Sequence, residues 1–155
     1  MSGQPVILVV DDDLASLTIT EQELRKRYGR DYRVLARQSA LAALDELRRL
    51  KTTGQQVALI LADQTMPEMC GPEFLGEARL IDPVAKRVML VSWGDRNAPQ
   101  AILDGCAVGQ IEFFITKPWH VAPDERFHSE VAGFLYEWAR QQRPVYEAVR
   151  VVGER

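Results

Sequence analysis

Val57-Ala58-Leu59-Ile60-Leu61-Ala62-Asp63 is an apolar run that stops at an acid, then passes through Gln64-Thr65-Met66-Pro67 to Gly71. Six apolar residues in a row, bounded by polar and turn-forming ones, mark a strand buried on both faces. No folding argument asks for a carboxylate at the tip of such a strand. Outward from it, three other strand-like runs also end in polar groups. Val6-Ile7-Leu8-Val9-Val10 ends in Asp11-Asp12-Asp13, the run 87–92 ends at Ser92, and the run 111–116 is followed by Lys117-Pro118.

Helical patterns fill the intervals. Leu14, Leu17, Leu24 and Tyr28 recur at helical spacing up to Gly29 as a stop signal, and Tyr32 to Ala36 reads as a short strand. Ser39 suits the N-cap of a helix over 40–51 with Leu41, Leu44, Leu47 and Leu50 inward. A helix over 72–80 turns Phe74, Leu75 and Ala78 inward and closes at Asp82-Pro83, and a weaker one is expected over 97–104. The last helix, over 124–142, carries the stripe Phe127, Val131, Phe134, Leu135 and Trp138, with Pro144 as its terminator. The tail from Val145 reads as a new strand after a linker. Strands alternating with helices predict an α/β fold, a doubly wound five-stranded parallel sheet with helices on both faces. Its ligands belong outside the carboxyl ends of the strands, where Asp11, Asp12, Asp63, Ser92 and Lys117 all fall.

Composition narrows the classes. A chain of 155 residues with 46% apolar and 26% charged residues is one globular domain with room for a short appendage. The net charge of −3 provides no basic field for direct nucleic-acid binding and no membrane patch. The apolar runs are far short of a bilayer span, and the N-terminal residues lack a signal-peptide pattern. Cys70 and Cys106 form neither a metal spacing nor a disulfide framework, and the expected location is the cytoplasm.

Crowded carboxylates disfavour each other's ionisation, and a hard divalent cation relieves them. Mg2+ favours a few carboxylates together with water and phosphate oxygens. Beside such an ion an aspartate can act as nucleophile and form an acyl phosphate, while a lysine and a hydroxyl hold the phosphoryl oxygens. Asp13 alone reads equally as a turn former or N-cap.

These residues resemble the receiver domains of response regulators in two-component signalling. The matching segments are Ile7 to Asp13, Asp63 with Met66-Pro67 and Gly71, Val91-Ser92, and Phe114-Ile115-Thr116-Lys117-Pro118. The resemblance implies a flavodoxin-like strand order 2-1-3-4-5 over residues 5–142, with 143–155 a linker or the start of a following domain. It implies that Asp63 accepts phosphate from a phosphohistidine of a sensor histidine kinase or phosphotransfer protein. Asp12, Asp63 and the Thr65 carbonyl would ligate Mg2+, with Asp11 acting through water. Ser92 and Lys117 would bind the phosphoryl group, and Ser92 and Phe114 would be the switch residues. The output face, also the surface for a homodimer, would be the 97–104 helix, the fifth strand and the last helix. Catalysis would be limited to self-phosphorylation and hydrolysis at Asp63.

Two residues depart from the family pattern. Trp93 stands where Ala or Gly is usual, either turned onto the surface or narrowing access to Asp63. In the second case Trp93→Ala is labelled severalfold faster by acetyl phosphate than the wild type, and equal rates would refute it. Cys70 stands where Asp is common, as an inert small residue or a redox-active one. His120 reads as a solvated loop residue and His128 as a surface residue beside the stripe; neither has the partners of a hydrolytic triad. The tail around Val149-Arg150-Val151-Val152-Gly153-Glu154 resembles the junction in receivers fused to thioredoxin-reductase-like flavoproteins, which makes a C-terminal flavoprotein one candidate output.

Two further readings use the same residues. A haloacid-dehalogenase-type phosphatase would place its nucleophile at Asp11 and its acid/base at Asp13, but Ala15 stands where that family has Thr. A pseudo-receiver would keep the fold as a protein-binding module, usually after losing acids or lysine that this chain retains.

Overall fold

The computed structural model describes residues 3–92, 113–117 and 125–153. Five parallel strands, β1 (Val6–Val10), β2 (Arg33–Arg37), β3 (Val57–Asp63), β4 (Lys86–Ser92) and β5 (Phe113–Lys117), form one sheet in the order β2-β1-β3-β4-β5. The expected fold and strand order are both met. Trp93, the 97–104 helix, Cys106, Pro118 and His120 lie outside the described residues.

Alternation along the strands divides the core in two. Leu8, Val10, Ile60, Ala62, Met89 and Val91 face α2 (Ala40–Thr52) and α3 (Gly71–Ile81). Ile7, Val9, Leu59, Leu61, Val88, Leu90 and Ile115 face α1 (Leu14–Tyr28) and α4 (Glu125–Gly153). Both faces are covered, which is why β1 and β3 read as unbroken apolar runs. The β1–β3 register skips from Val6↔Val57 to Ile7↔Leu59, so Ala58 is an extra residue. Ala58 and Leu59 consequently share one face, and beyond this bulge the alternation brings Asp63 to the strand end beside β1.

The helices are punctuated mostly as expected. The Asp13 carboxylate accepts from the Ala15 and Ser16 amides at 3.0 and 3.4 Å, and Ser39 Oγ accepts from Ala42 N–H at 3.2 Å. Gly29 follows α1 in a right-handed conformation, φ −60°, so it is no left-handed cap. A Cβ there would lie 2.4 Å from the Arg25 carbonyl oxygen, so close approach to the preceding turn is what asks for glycine.

Three expectations need correction. Leu41 is exposed, and Ala40 and Ala43 pack inward beside Leu44, Leu47 and Leu50. A strict three-residue spacing drifts around a 3.6-residue helix, so the first leucine of four falls off the buried face. β5 takes in Lys117, one residue beyond its expected end, while its expected start at 111–112 lies outside the described residues. Finally, α4 does not stop at Pro144 and the tail is no strand, because the helix runs to Gly153. Proline's fixed φ suits a helix, at the loss of one backbone hydrogen bond and crowding against the preceding turn. A lone β-branched run gains nothing from extension without a strand to pair with, whereas continuing a helix adds a hydrogen bond per residue. None of the described helices is long and apolar enough to cross a membrane.

Candidate functional site

β1 and β3 are neighbours, so the residues that end them meet. Carboxylate oxygens of Asp11, Asp12 and Asp63 lie within 4.8 Å of one another. Asp11 and Asp63 are buried, and Asp12 is exposed at the mouth. Asp11 is fixed by its own loop: its Oδ1 accepts from Asp13 N–H at 3.0 Å, and its N–H donates to the Arg37 carbonyl at 3.2 Å. Asp13 is directed away as the α1 cap, which satisfies its N-cap reading. Three acids this close, two of them shielded from water, repel one another. The donor set is all oxygen and partly open to solvent, which fits a hard cation of the magnesium type and not a thiophilic metal.

Ser92 ends β4, Lys117 ends β5, and the two are register partners at the same end of the sheet as the acids. Asp63 pairs with Leu90, so Ser92 lies two residues farther toward the carboxyl edge. Phe114 on β5 pairs with Met89 of β4 and is 38% exposed. Thr65 is exposed two residues beyond Asp63.

The loop after Asp63 is tightly closed. Gln64 N–H donates to Leu90 O at 3.1 Å, Gly71 N–H donates to Gln64 O at 2.8 Å, and Met66 is buried in the core between them. Gly71 is demanded by proximity, since a Cβ there would sit 2.6 Å from Asp63 O and 3.0 Å from Gln64 Cα. Cys70 is exposed as the α3 N-cap and makes no side-chain capping bond.

Some polar residues near the site carry no signal in the sequence. Gln64 is buried, and its Oε1 has no hydrogen-bond partner among the described residues. Glu46 on α2 is buried between Arg37 and Arg49. Arg37 reaches Glu46 from another element, and no spacing announces that meeting, whereas Glu46 and Arg49 are three residues apart on α2. His128 corrects an expectation. It is 3% exposed, packed edge-on against Phe127, with Nε2 3.2 Å from Glu23 Oε1. Beside it the Tyr28 hydroxyl donates to the His128 carbonyl at 3.0 Å, and Arg27 pairs with Glu125 at 2.7 Å. Burial raises the Tyr28 phenol above its ordinary pKa of 10.0, offset in part by Arg27 and reinforced by Glu125. The neutral donor is therefore favoured in the folded state. Its contribution to stability is complete below pH 10.0 and is lost only as pH rises above it.

Comparison with known proteins agrees with this geometry. Residues 7–125 match the profile of the response regulator receiver domain. The hydrogenase transcriptional regulatory protein HoxA of Cupriavidus necator is 36% identical over 116 residues, which is 75% of this chain and 22% of that protein. The chain thus spans under a quarter of that relative's length. An uncharacterized protein from Neptuniibacter caesariensis superposes with a TM-score of 0.74 at 28% identity, covering 93% of this chain and 96% of that one. A CheY-like receiver domain protein from Methanospirillum hungatei superposes with a TM-score of 0.70 at 24% identity, covering 90% and 99%, a likeness of fold. With most of its length matched to that profile and its acids gathered at the carboxyl end of a 2-1-3-4-5 sheet, the chain belongs to the response regulator receiver domain family.

Proposed function

We propose that this chain is the phosphoacceptor of a His-Asp phosphorelay, phosphorylated on Asp63. The observation that carries it is the meeting of Asp11, Asp12 and Asp63 at adjoining strand ends. An Asp63 carboxylate oxygen attacks the phosphorus of a phosphohistidine on a sensor histidine kinase or phosphotransfer protein. The P–N bond breaks, and its electron pair returns to the imidazole. Asp12, Asp63 and the Thr65 carbonyl, with Asp11 through water, would hold Mg2+, which would supply neutralisation of the phosphoryl charge. Lys117 and Ser92 hold the phosphoryl oxygens, and Ser92 and Phe114 report the change of state to the outer face of β5. The register pairing of Ser92 with Lys117 supports these roles.

The receiver unit is residues 5–142, with 143–155 a linker or the start of a following domain. The unbroken run of α4 through 143–153 favours a helical connector over a loose one. The output is an attached domain or a separate protein, a C-terminal flavoprotein being one candidate. Homodimerisation through the 97–104 helix, β5 and α4 is the accompanying proposal for signalling between copies.

Mixing the protein with Mg2+ and acetyl phosphate or beryllofluoride, then mapping the adduct, tests the reading. An adduct on Asp63 is expected. One on Asp11 would point to phosphatase-type chemistry, and no adduct to a protein-binding module that has lost phosphotransfer.

A further inference from the structure

Asp11 and Asp12 lie on the loop after β1, Asp63 ends β3, and Thr65 lies on the loop after it; the sheet fixes these two loops only at their roots. A third segment touches both. Arg37-Gln38-Ser39, the corner between β2 and α2, makes three consecutive ties: Arg37 O accepts from Asp11 N–H at 3.2 Å, Gln38 Nε2 donates to Asp12 O at 3.4 Å, and Ser39 Oγ donates to Glu68 Oε2 at 3.1 Å. The first two hold the Asp11–Asp12 loop; the third holds the tip of the loop that leaves Asp63. The corner is itself anchored, because the Arg37 guanidinium pairs with buried Glu46 and Glu46 Oε2 also receives Arg49 at 2.8 Å.

Ser39 suits this place through its dual hydrogen-bonding capacity. Its hydroxyl accepts from Ala42 N–H at 3.2 Å as the α2 cap and still has one proton to donate to Glu68. An aspartate could cap the helix, but when ionised it has no proton for a second acid. Thr65 lies between Asp63, the last residue of β3, and the buried Met66, and Glu68 is tethered two residues beyond Met66, so this part of the β3–α3 loop has little slack.

We propose that the Arg37-Gln38-Ser39 corner sets the gap between the Asp11–Asp12 loop and the loop that carries Thr65, with Ser39 as a positioning residue for the metal site through Glu68. This rests on the metal-binding reading above. Mg2+ demands near-ideal octahedral placement of its ligands, so a loop freed at its tip loses affinity even when every ligand is retained. Groups that orient ligands from outside typically change metal affinity by 10- to 100-fold, and Ser39, acting through a loop, belongs at about tenfold.

Calorimetric titration with MgCl2 tests it, beside thermal melts of the same proteins. Ser39→Gly is neutral and keeps most of the capping preference, so its melt is expected to stay close to wild type while its Mg2+ Kd rises about tenfold. Ser39→Thr, which retains the hydroxyl, binds Mg2+ as wild type does. In a Glu68→Ala background Ser39→Gly adds little, because the tether is already gone; this comparison also removes the direct effect of the Glu68 charge. An unchanged Kd in Ser39→Gly would overturn the proposal, as would an equal loss with and without Glu68. A wild-type protein that binds no Mg2+ would instead overturn the metal-binding reading, and this one with it.

Discussion

Asp63→Asn abolishes labelling by acetyl phosphate and binding of beryllofluoride, while the fold is retained. The amide matches the carboxylate in shape but lacks the anionic oxygen that must attack phosphorus. Stability holds or rises, because one of three crowded charges is removed from a site where Asp11 and Asp63 are both buried. Asp12→Asn behaves differently: it keeps the nucleophile and loses a metal-facing acid, so labelling slows and demands more Mg2+. Mass spectrometry of the phosphorylated peptide, with a melt of each variant, separates the two. Continued labelling of Asp63→Asn at the wild-type rate would move the acceptor elsewhere.

Gly71→Ala costs about 1–3 kcal/mol in urea unfolding and slows labelling of Asp63 as well. The added methyl would fall 2.6 Å from Asp63 O and 3.2 Å from Asp63 C, which are backbone atoms and cannot rotate aside. Either α3 or the end of β3 must shift, and a small displacement of a reacting group is costly in rate. Gly133 is the internal control. It lies exposed on α4 with nothing within 4 Å of a built Cβ, so Gly133→Ala stabilises by up to about 1 kcal/mol through helix propensity alone. Equal effects at both glycines would show that the approach of α3 to Asp63 is not constraining.

Much of this structure is legible in the chain because a parallel sheet covered on both faces writes itself as uninterrupted apolar runs. Val6–Val10 and Val57–Asp63 could hardly be anything else, and acids at their ends could only converge where those strands are neighbours. Local chemistry was equally readable at Asp13 and Ser39, whose caps depend on amides two or three residues away. What escaped depends on distant partners. His128 precedes Val131 by three residues and Leu135 by seven, so it shares their face, yet its burial is settled by Glu23 and Tyr28 of α1. A stripe read from apolar residues alone is too narrow, because a buried helical face spans 100° or more. Leu41 fails for the opposite reason, as an apolar residue beyond the edge of the covered face. The passage of α4 through Pro144 ran against a local rule that outweighs everything but the lack of an alternative. The Arg37–Glu46 pair, from β2 to α2, has no sequence signature at all.

The place of β1 between β2 and β3 also sets an order of assembly. Val6 pairs with Arg33 on one side and with Val57 on the other, so no strand can find its partner in the segment that immediately follows it. Such non-local pairing is slow, since a whole helix must be traversed before the first contact repays the loop it closes. During synthesis β1 and β2 are complete well before Val57 leaves the ribosome, and until then one edge of Val6–Val10 lies open with its backbone unpaired. The strand that brings Asp63 is therefore the one that seals this edge. A nascent chain stalled before it would be prone to aggregate, and the arrival of Asp63 coincides with closure of the open edge of β1.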